Sequence, residues 1–189
     1  FNRLAGRPIK PSPMYERLKE KGAVFEEVYG HERPRWFARG NVAQEDQYSF
    51  RRNDVHDIVG TECKAVRETV GIMDISAFTK VKISGLDAAV YLDRLVANKL
   101  PQKVGGIALT HVMNRLGRIE LETTVVKLAD DAFYLVCAAF FEQRLLDHLK
   151  FNQNGEAVEV TKLSDDWAAL TLNGPNSRKV LEQCTDAPL

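Results

Sequence analysis

The alternation of apolar and polar residues from residue 78 onward predicts β-strands. In residues 78–85, Val81 and Ile83 alternate with lysines, which is the pattern of a half-buried strand. Residues 107–113 and 118–128 alternate in a similar way and are separated by the short sequence NRLG, so we expect them to pair as a hairpin. Further strands are predicted at residues 133–139, 156–163 and 167–174.

Cap and stop residues together with apolar residues at helical spacing predict five helices, which lie before, between and after these strands. Ser12 is expected to cap the first helix, and Gly71 to end the second. Because helices interleave with antiparallel hairpins, the order of elements predicts an α+β fold rather than a doubly wound α/β fold. We expect a mostly antiparallel sheet flanked by helices. The predicted helices cover residues 12–23, 57–71, 86–99, 140–151 and 175–184.

The first third of the chain has weaker periodicity. Residues 24–39 are mixed in polarity and are expected to be extended, with Pro34 interrupting their regularity. Residues 39–57 are polar and predict a long loop. The chain begins without Met, has three prolines within residues 4–13 and ends in TDAPL, so we expect a fragment of a longer protein.

Charge and cysteine content exclude several classes of function. The 26 basic and 26 acidic residues cancel, which argues against a general nucleic-acid or acidic-membrane partner. The three cysteines are far apart and form no CxxC pair, so the sequence indicates neither a zinc site nor a disulfide framework. A reducing compartment follows as the simplest interpretation. The longest apolar run, FYLVCAAFF, is far shorter than the roughly 20 residues of a membrane span.

Two carboxylates lie close together in the strand predicted at residues 118–128. Strand periodicity places Glu120 and Glu122 on one face, opposite the face of Leu121 and Val125. A solvated polar face explains this pattern without any function. The functional alternative is a carboxylate that a rigid strand directs into a pocket, where it receives a proton or stabilises a developing cation.

Histidines and glycines supply no second motif. His111 falls on the apolar face of its strand with Leu109, where a histidine is most often a hydrogen-bonded core residue. The other three histidines lie in unrelated segments at no metal-ligand spacing. No glycine-rich strand–turn–helix fingerprint is present to hold a pyrophosphate, so we expect no flavin in this chain.

Four segments carry motifs that are specific in series, although none is specific alone. They are residues 7–37, residues 48–100 with AVRETVGIMDIS, residues 111–128 with HVMNRLGRIELETTV, and residues 169–181 with ALTLNGPNSRKVL. Together they resemble the folate-binding aminomethyltransferase domain. That domain is the T-protein of glycine cleavage, and it is also fused behind the flavin domain of sarcosine and dimethylglycine dehydrogenases.

The resemblance implies the origin of each part of the chain. Residues 1–40 correspond to a connecting segment from a preceding domain that is absent here. Residues 41–189 correspond to the N-terminal part of the T-protein-like folate-binding domain. Because the family domain is roughly twice this length, we expect the chain alone to bind tetrahydrofolate weakly and to catalyse nothing.

The resemblance also implies the site residues. Glu122 matches an Asp that lies near the reactive nitrogens of tetrahydrofolate in the family, so it is the expected catalytic residue, with Glu120 in reserve. Leu109, Thr110, Phe78 and Glu122 are the expected cofactor-binding residues. Leu109 stands where many relatives have a Tyr, and Glu122 is one methylene longer than the family's Asp.

The implied function is to pass the one-carbon unit of an N-methyl amine to tetrahydrofolate within a dimethylglycine or sarcosine dehydrogenase-like oxidoreductase. Two alternatives stay open. The chain belongs to a stand-alone aminomethyltransferase of glycine cleavage or a folate-dependent demethylase, or it is a non-catalytic, degenerate folate-binding or scaffold module.

The implied cofactors are tetrahydrofolate in this domain and FAD in the parent protein but not in this chain. The implied partners are folate, a small N-methyl amine, the absent flavin domain and the rest of the folate domain, with no metal, nucleic acid or membrane. The expected location is cytoplasmic, or the mitochondrial matrix in a eukaryote.

Overall fold

The computed structural model describes residues 4–46 and 48–189. Residues 1–3 of the predicted connecting segment and residue 47 of the predicted loop lie outside the described residues. The backbone divides into two compact units, one formed by the described residues up to Ser76 with Ala168–Leu189, the other by Ala77–Trp167. No helix within the described residues is long and apolar enough to span a membrane.

The chain combines helices with strands that pair antiparallel, as in an α+β protein. In chain order they are α1 (Tyr15–Glu20), β1 (Ala23–Val28), β2 (His31–Phe37), α2 (Asp54–Glu68), β3 (Gly71–Asp74), β4 (Thr79–Ser84), α3 (Ala88–Leu95), β5 (Ile107–Met113), β6 (Ile119–Ala129), β7 (Ala132–Cys137), α4 (Glu142–Phe151), β8 (Glu159–Lys162), β9 (Leu170–Asn173) and α5 (Ser177–Leu181).

The first unit contains two small antiparallel pairs of strands. The segment predicted as extended forms the hairpin of β1 and β2, whose register shifts beside Phe25, the residue that faces Pro34. Proline has no backbone N–H to donate to the ladder, so an irregular pairing at this point is expected. The second pair joins β3 to β9, which are distant in the sequence.

The predicted helix cap at Ser12 and the predicted helix end at Gly71 are both wrong. The first helix begins at Tyr15, because the Ser12 hydroxyl accepts the N–H of Met14 and donates to Asp74 instead of capping the helix. The second helix ends at Glu68, and Gly71 begins a strand. A Cβ at Gly71 would lie 2.4 Å from the Val66 side chain, so this glycine permits close packing of the strand on the helix.

The second unit is built on a five-stranded antiparallel sheet in the order β5-β6-β7-β4-β8. One face packs on α3 and α4 and forms the core. The predicted hairpin is confirmed, since β5 pairs with β6 along its whole length. The α+β, mostly antiparallel fold is therefore confirmed as well. The largest core side chains are Ile83, Tyr91, Leu92, Leu121, Phe133, Leu135, Leu145 and Leu149.

The opposite face of the β5–β6 hairpin is much more exposed. Ile107 and Leu109 on β5 are 69% and 56% exposed, whereas Thr110 and Val112 on the core side are both 2% exposed. We call the surface that carries Leu109, His111, Glu122 and Thr124 the open face.

Candidate functional site

A three-residue loop joins β5 to β6, the strand that carries both candidate carboxylates. Asn114 and Arg118 close it, because the N–H of Asn114 donates to the carbonyl of Arg118 at 2.9 Å. The side-chain oxygen of Asn114 accepts the N–H of Leu116 at 2.9 Å and that of Arg118 at 3.1 Å. Gly117 adopts φ +72°, the left-handed conformation that glycine accepts without steric cost.

A β-bulge next to this loop separates the two carboxylates. Val112 faces Leu121 and the next residue of β5 faces Ile119, so Glu120 has no partner in the ladder. Its carboxylate accepts a hydrogen bond from Nδ2 of Asn114 at 2.7 Å and forms an ion pair with Arg144 of α4. The Asn114 amide, with a smaller effect of Arg144, holds the pKa of Glu120 below its ordinary value.

Glu120 and Glu122 therefore have different surroundings, although the alternation predicted equivalent positions on one face. Glu120 connects the loop to α4, and its two partners account for its presence without any ligand. Glu122 points to a different neighbour. Its carboxylate Oε2 lies 3.3 Å from Nε2 of His111, its cross-strand partner on β5.

The Glu122 carboxylate is accessible. The side chain of Glu122 is 59% exposed and that of His111 is 38% exposed. The prediction of His111 as a core residue is therefore wrong, because the face of β5 with Leu109 is the exposed one. Among residues 4–46 and 48–189, no side chain other than His111 pairs with the Glu122 carboxylate.

The strand register brings Leu109 close to Glu122. Leu109 faces Thr124, Thr124 faces Val136, and Val136 faces Lys80, so these four residues form one row across the sheet. Glu122 and its partner occupy the adjacent position on the same face, because side chains repeat with a period of two. Leu109 and Glu122 thus place an apolar surface beside a carboxylate.

Phe78 lies immediately before β4, two residues from Lys80. Its side chain is 41% exposed, and its carbonyl accepts a hydrogen bond from Nζ of Lys80 at 2.7 Å. Lys80 ends the row that begins at Leu109, so Phe78 adjoins the end of that row.

Thr110 is not brought together with these residues. Its side chain lies on the core side of β5 and is 2% exposed. The hydroxyl accepts the N–H of Asn98 at 2.9 Å, which ties the segment after α3 to β5. The structure thus gives Thr110 a supporting position behind the open face.

Sequence reasoning missed Asn114 and the pairing of His111 with Glu122. Neither belongs to a spacing motif, because each acts through the register of the hairpin. The one sequence signal was the Asn–x–x–Gly of the loop, since Asn accepts nearby backbone N–H groups and Gly adopts positive φ.

Metal and thiol chemistry find no support in the described part of the chain. No group of three or more metal-ligating side chains occurs there. All three cysteines are free, and only Cys137 is buried. Burial raises the pKa of the Cys137 thiol to about 11, so it is a weak nucleophile near neutral pH.

The chemistry available at the open face is that of one accessible carboxylate. A carboxylate accepts a proton from a nitrogen or stabilises a positive charge on it. The exposed side chain of Leu109 offers apolar area for a planar group next to that charge. A cavity of about 380 Å³ elsewhere in this unit is lined by Val90, Leu100 and Phe133 among others and does not include Glu122.

The fold is that of an aminomethyltransferase. The crystal structure of glycine cleavage system aminomethyltransferase T from Bartonella henselae superposes with a TM-score of 0.76 over 93% of this chain and 43% of that chain, at 23% identity. The family is established by sequence. The chain belongs to the GCVT N-terminal domain family, whose model matches residues 14–189.

Curated relatives are much longer proteins. Mitochondrial dimethylglycine dehydrogenase of Mus musculus is 35% identical over 193 residues, which are 99% of this chain and 22% of that protein. The 4-methylaminobutanoate oxidase (formaldehyde-forming) of Paenarthrobacter nicotinovorans is 32% identical over 178 residues, 94% of this chain and again 22% of the relative. The chain thus spans about a fifth of the length of these relatives.

Proposed function

We propose that this chain is the tetrahydrofolate-binding part of a dimethylglycine or sarcosine dehydrogenase-like oxidoreductase. In this role it helps to pass the one-carbon unit of an N-methyl amine to tetrahydrofolate. Family membership and the names of two relatives support the substrate class, because dimethylglycine and 4-methylaminobutanoate both carry an N-methyl group.

The single observation that carries the proposal is the contrast between the two carboxylates. Glu120 is held by Asn114 and Arg144, whereas Glu122 is 59% exposed on the open face. An exposed carboxylate beside exposed apolar side chains is free to contact a ligand. Glu122 is therefore the proposed catalytic residue, and Glu120 is proposed to support the loop.

The residues of the open face fit a reduced folate. Leu109 presents exposed apolar surface suited to a flat ring, and Glu122 beside it is an acceptor for ring N–H groups. Phe78, three strands away at the other end of the row, is proposed to contact a different part of the ligand. Tetrahydrofolate, when bound, supplies the nitrogen atoms that take up the one-carbon unit. Glu122, as an anion, accepts a proton from such a nitrogen or favours its positively charged form by charge attraction. Thr110 is proposed to support this surface from behind.

The remaining parts of the proposal concern the parent protein. Residues 1–40 connect the domain to a flavin domain that binds FAD, and residues 41–189 begin the folate domain. The N-methyl amine is oxidised in the flavin domain, outside this chain. If the organism is a eukaryote, we place the protein in the mitochondrial matrix; the mouse relative's name states that that protein is mitochondrial.

The second relative favours a different fate for the one-carbon unit. Its name states that it forms formaldehyde. The second candidate is therefore a parent oxidase that releases free formaldehyde, with this domain contributing no folate chemistry. The two candidates differ in whether added tetrahydrofolate diverts the one-carbon unit from formaldehyde.

The test is Glu122→Gln in the full-length parent. Acid–base groups contribute roughly 10²–10⁴-fold, and Glu122 is exposed, so we expect a loss near the low end, about a hundredfold. The quantity measured is the ratio of methylenetetrahydrofolate formed to amine oxidised. Amine oxidation itself should not change, since it occurs in another domain.

The matched control is Glu159→Gln, which makes the same change at an exposed position on β8 at the other edge of the sheet. This variant should keep the parent ratio. An unchanged ratio in Glu122→Gln would contradict the proposed role of Glu122. Formaldehyde production that tetrahydrofolate does not reduce would favour the second candidate.

A further inference from the structure

We propose that His111 is a positioning residue, which holds the Glu122 carboxylate in the orientation used for ligand contact. This inference rests on the proposed function for the identity of the ligand. The carrying observation is the 3.3 Å approach of Nε2 of His111 to Oε2 of Glu122 on paired strands.

The backbone of His111 is held on both sides. On one side it pairs with Glu122 in the ladder of β5 and β6. On the other side its carbonyl accepts the N–H of Ala97 at 2.9 Å, next to a bridge between Val96 and Val112. The imidazole is therefore attached to a rigid point, although β5 is the edge strand of its sheet.

An orienting partner lowers the entropic cost of ordering the Glu122 carboxylate for ligand contact. A glutamate side chain loses substantial rotamer freedom when it is ordered. Within the described part of the chain, His111 is the one side chain that pairs with its carboxylate. Removal of the imidazole would leave the Glu122 carboxylate free to sample other rotamers, and a ligand would then have to order it.

The neighbours of His111 on its own strand are apolar. Leu109 and Met113 flank His111 on the same face and are 56% and 42% exposed. They offer the ring no polar partner along its own strand. The cross-strand carboxylate, at 3.3 Å, is the polar side-chain group that pairs with the ring, and pairs in this geometry stabilise one another by a modest amount.

The expected effect on ligand binding is small but measurable. Exposed and cross-strand pairs contribute amounts that correspond to roughly a two- to five-fold change in an equilibrium constant. We expect His111→Ala in the full-length parent to raise the Kd for folinic acid, a stable reduced folate, by about that factor. Isothermal titration measures this Kd without turnover, so the result does not depend on amine oxidation.

Two further variants separate positioning from general stability. His111→Gln keeps a side-chain N–H donor at this position and should restore the Kd to within about twofold of the parent value. His111→Ala in the Glu122→Gln background should cause no additional change, because a residue that acts through Glu122 has nothing left to position. His56→Ala, at an exposed position on α2, is the matched control and should not change the Kd.

The outcomes distinguish this inference from the proposed function. If Glu122→Gln raises the Kd or lowers the folate-coupled ratio while His111→Ala changes neither, the positioning role is wrong and the proposed function stands. Independent, additive effects of the two substitutions would also overturn the positioning role. If Glu122→Gln changes neither quantity, the proposed function fails together with the inference drawn from it.

Discussion

Thr110→Val removes a hydroxyl and keeps the shape of a β-branched side chain. The hydroxyl of Thr110 accepts the N–H of Asn98 at 2.9 Å and lies on the core side of β5. The valine variant leaves that N–H without its acceptor. We therefore expect faster hydrogen exchange of the Asn98 amide. We expect no direct effect on the binding of a ligand at the open face.

The magnitude follows from the burial of the two groups. Leaving a buried donor unpaired costs about 1–3 kcal/mol. Thr110 is 2% exposed, but Asn98 is an exposed residue, so water can reach its amide after the change. The cost should fall at the low end, about 1 kcal/mol. A free energy of about 1 kcal/mol is about five-fold in an opening equilibrium.

The assay is hydrogen exchange of the full-length parent, read by mass spectrometry on peptides that cover residues 96–100. Exchange at Asn98 should become about five-fold faster in Thr110→Val. Thr110→Ser, which keeps the hydroxyl, should exchange at nearly the parent rate. The Kd for folinic acid should stay within about twofold in both variants.

A different pattern would refute the reasoning. If Thr110→Val weakens folinic acid binding tenfold or more while exchange at Asn98 is unchanged, Thr110 contacts the ligand directly. The cofactor-binding role that the family resemblance implies for Thr110 would then be correct. The core-facing position of Thr110 on β5 would contradict that result.

Two further predictions concern groups buried in the second unit. Burial raises the pKa of Tyr91 to about 12, and its hydroxyl donates to the carbonyl of Leu149 at 2.5 Å. The folded state thus favours the protonated phenol, so this stabilisation is complete below about pH 10, the ordinary pKa, and is lost as the pH rises to 12. In urea unfolding, Tyr91→Phe should lower the free energy of unfolding by about 1 kcal/mol at pH 7. The variant should also lose less stability than the parent above pH 10. An equally steep loss of stability in the variant would contradict this. Iodoacetamide at pH 8 should label the exposed Cys63 and Cys184, whereas Cys137 should react only after unfolding. Peptide mapping measures the labelling of each cysteine. Labelled Cys137 in the native protein would show the reasoning wrong.

The hydrophobic pattern was sufficient where one face of a strand is buried and the other is exposed. Leu121 and Val125 are 1% and 0% exposed, as the alternation in residues 118–128 predicted. Such a pattern specifies a strand because a slip by one residue would move the whole apolar set to the other face. The hairpin of β5 and β6 was predictable for this reason.

The pattern failed where a tertiary contact decided where a helix or strand begins or ends. Gly71 suits a helix end in isolation, but the approach of Val66 requires a glycine at the start of β3. Ser12 suits a helix cap, but its hydroxyl bonds to Asp74, 62 residues away. Neither tertiary contact is encoded in the spacing of nearby residues. The folate-site assignments came from family resemblance, and no periodicity argument could have supplied them.

The register of the hairpin explains why one carboxylate and not the other is available for chemistry. A three-residue loop followed by regular pairing would set Val112 opposite Glu120, and the carboxylate would then enter the core beside a residue that is 2% exposed. Burial of an unpaired charge is costly, so the strand places one residue outside the ladder and Leu121 takes the core position. The bulge leaves Glu120 to the loop and α4, and sets Glu122 opposite His111 on the open face. The alternation of residues predicted two equivalent carboxylates, whereas the competition between loop geometry and core burial makes them different.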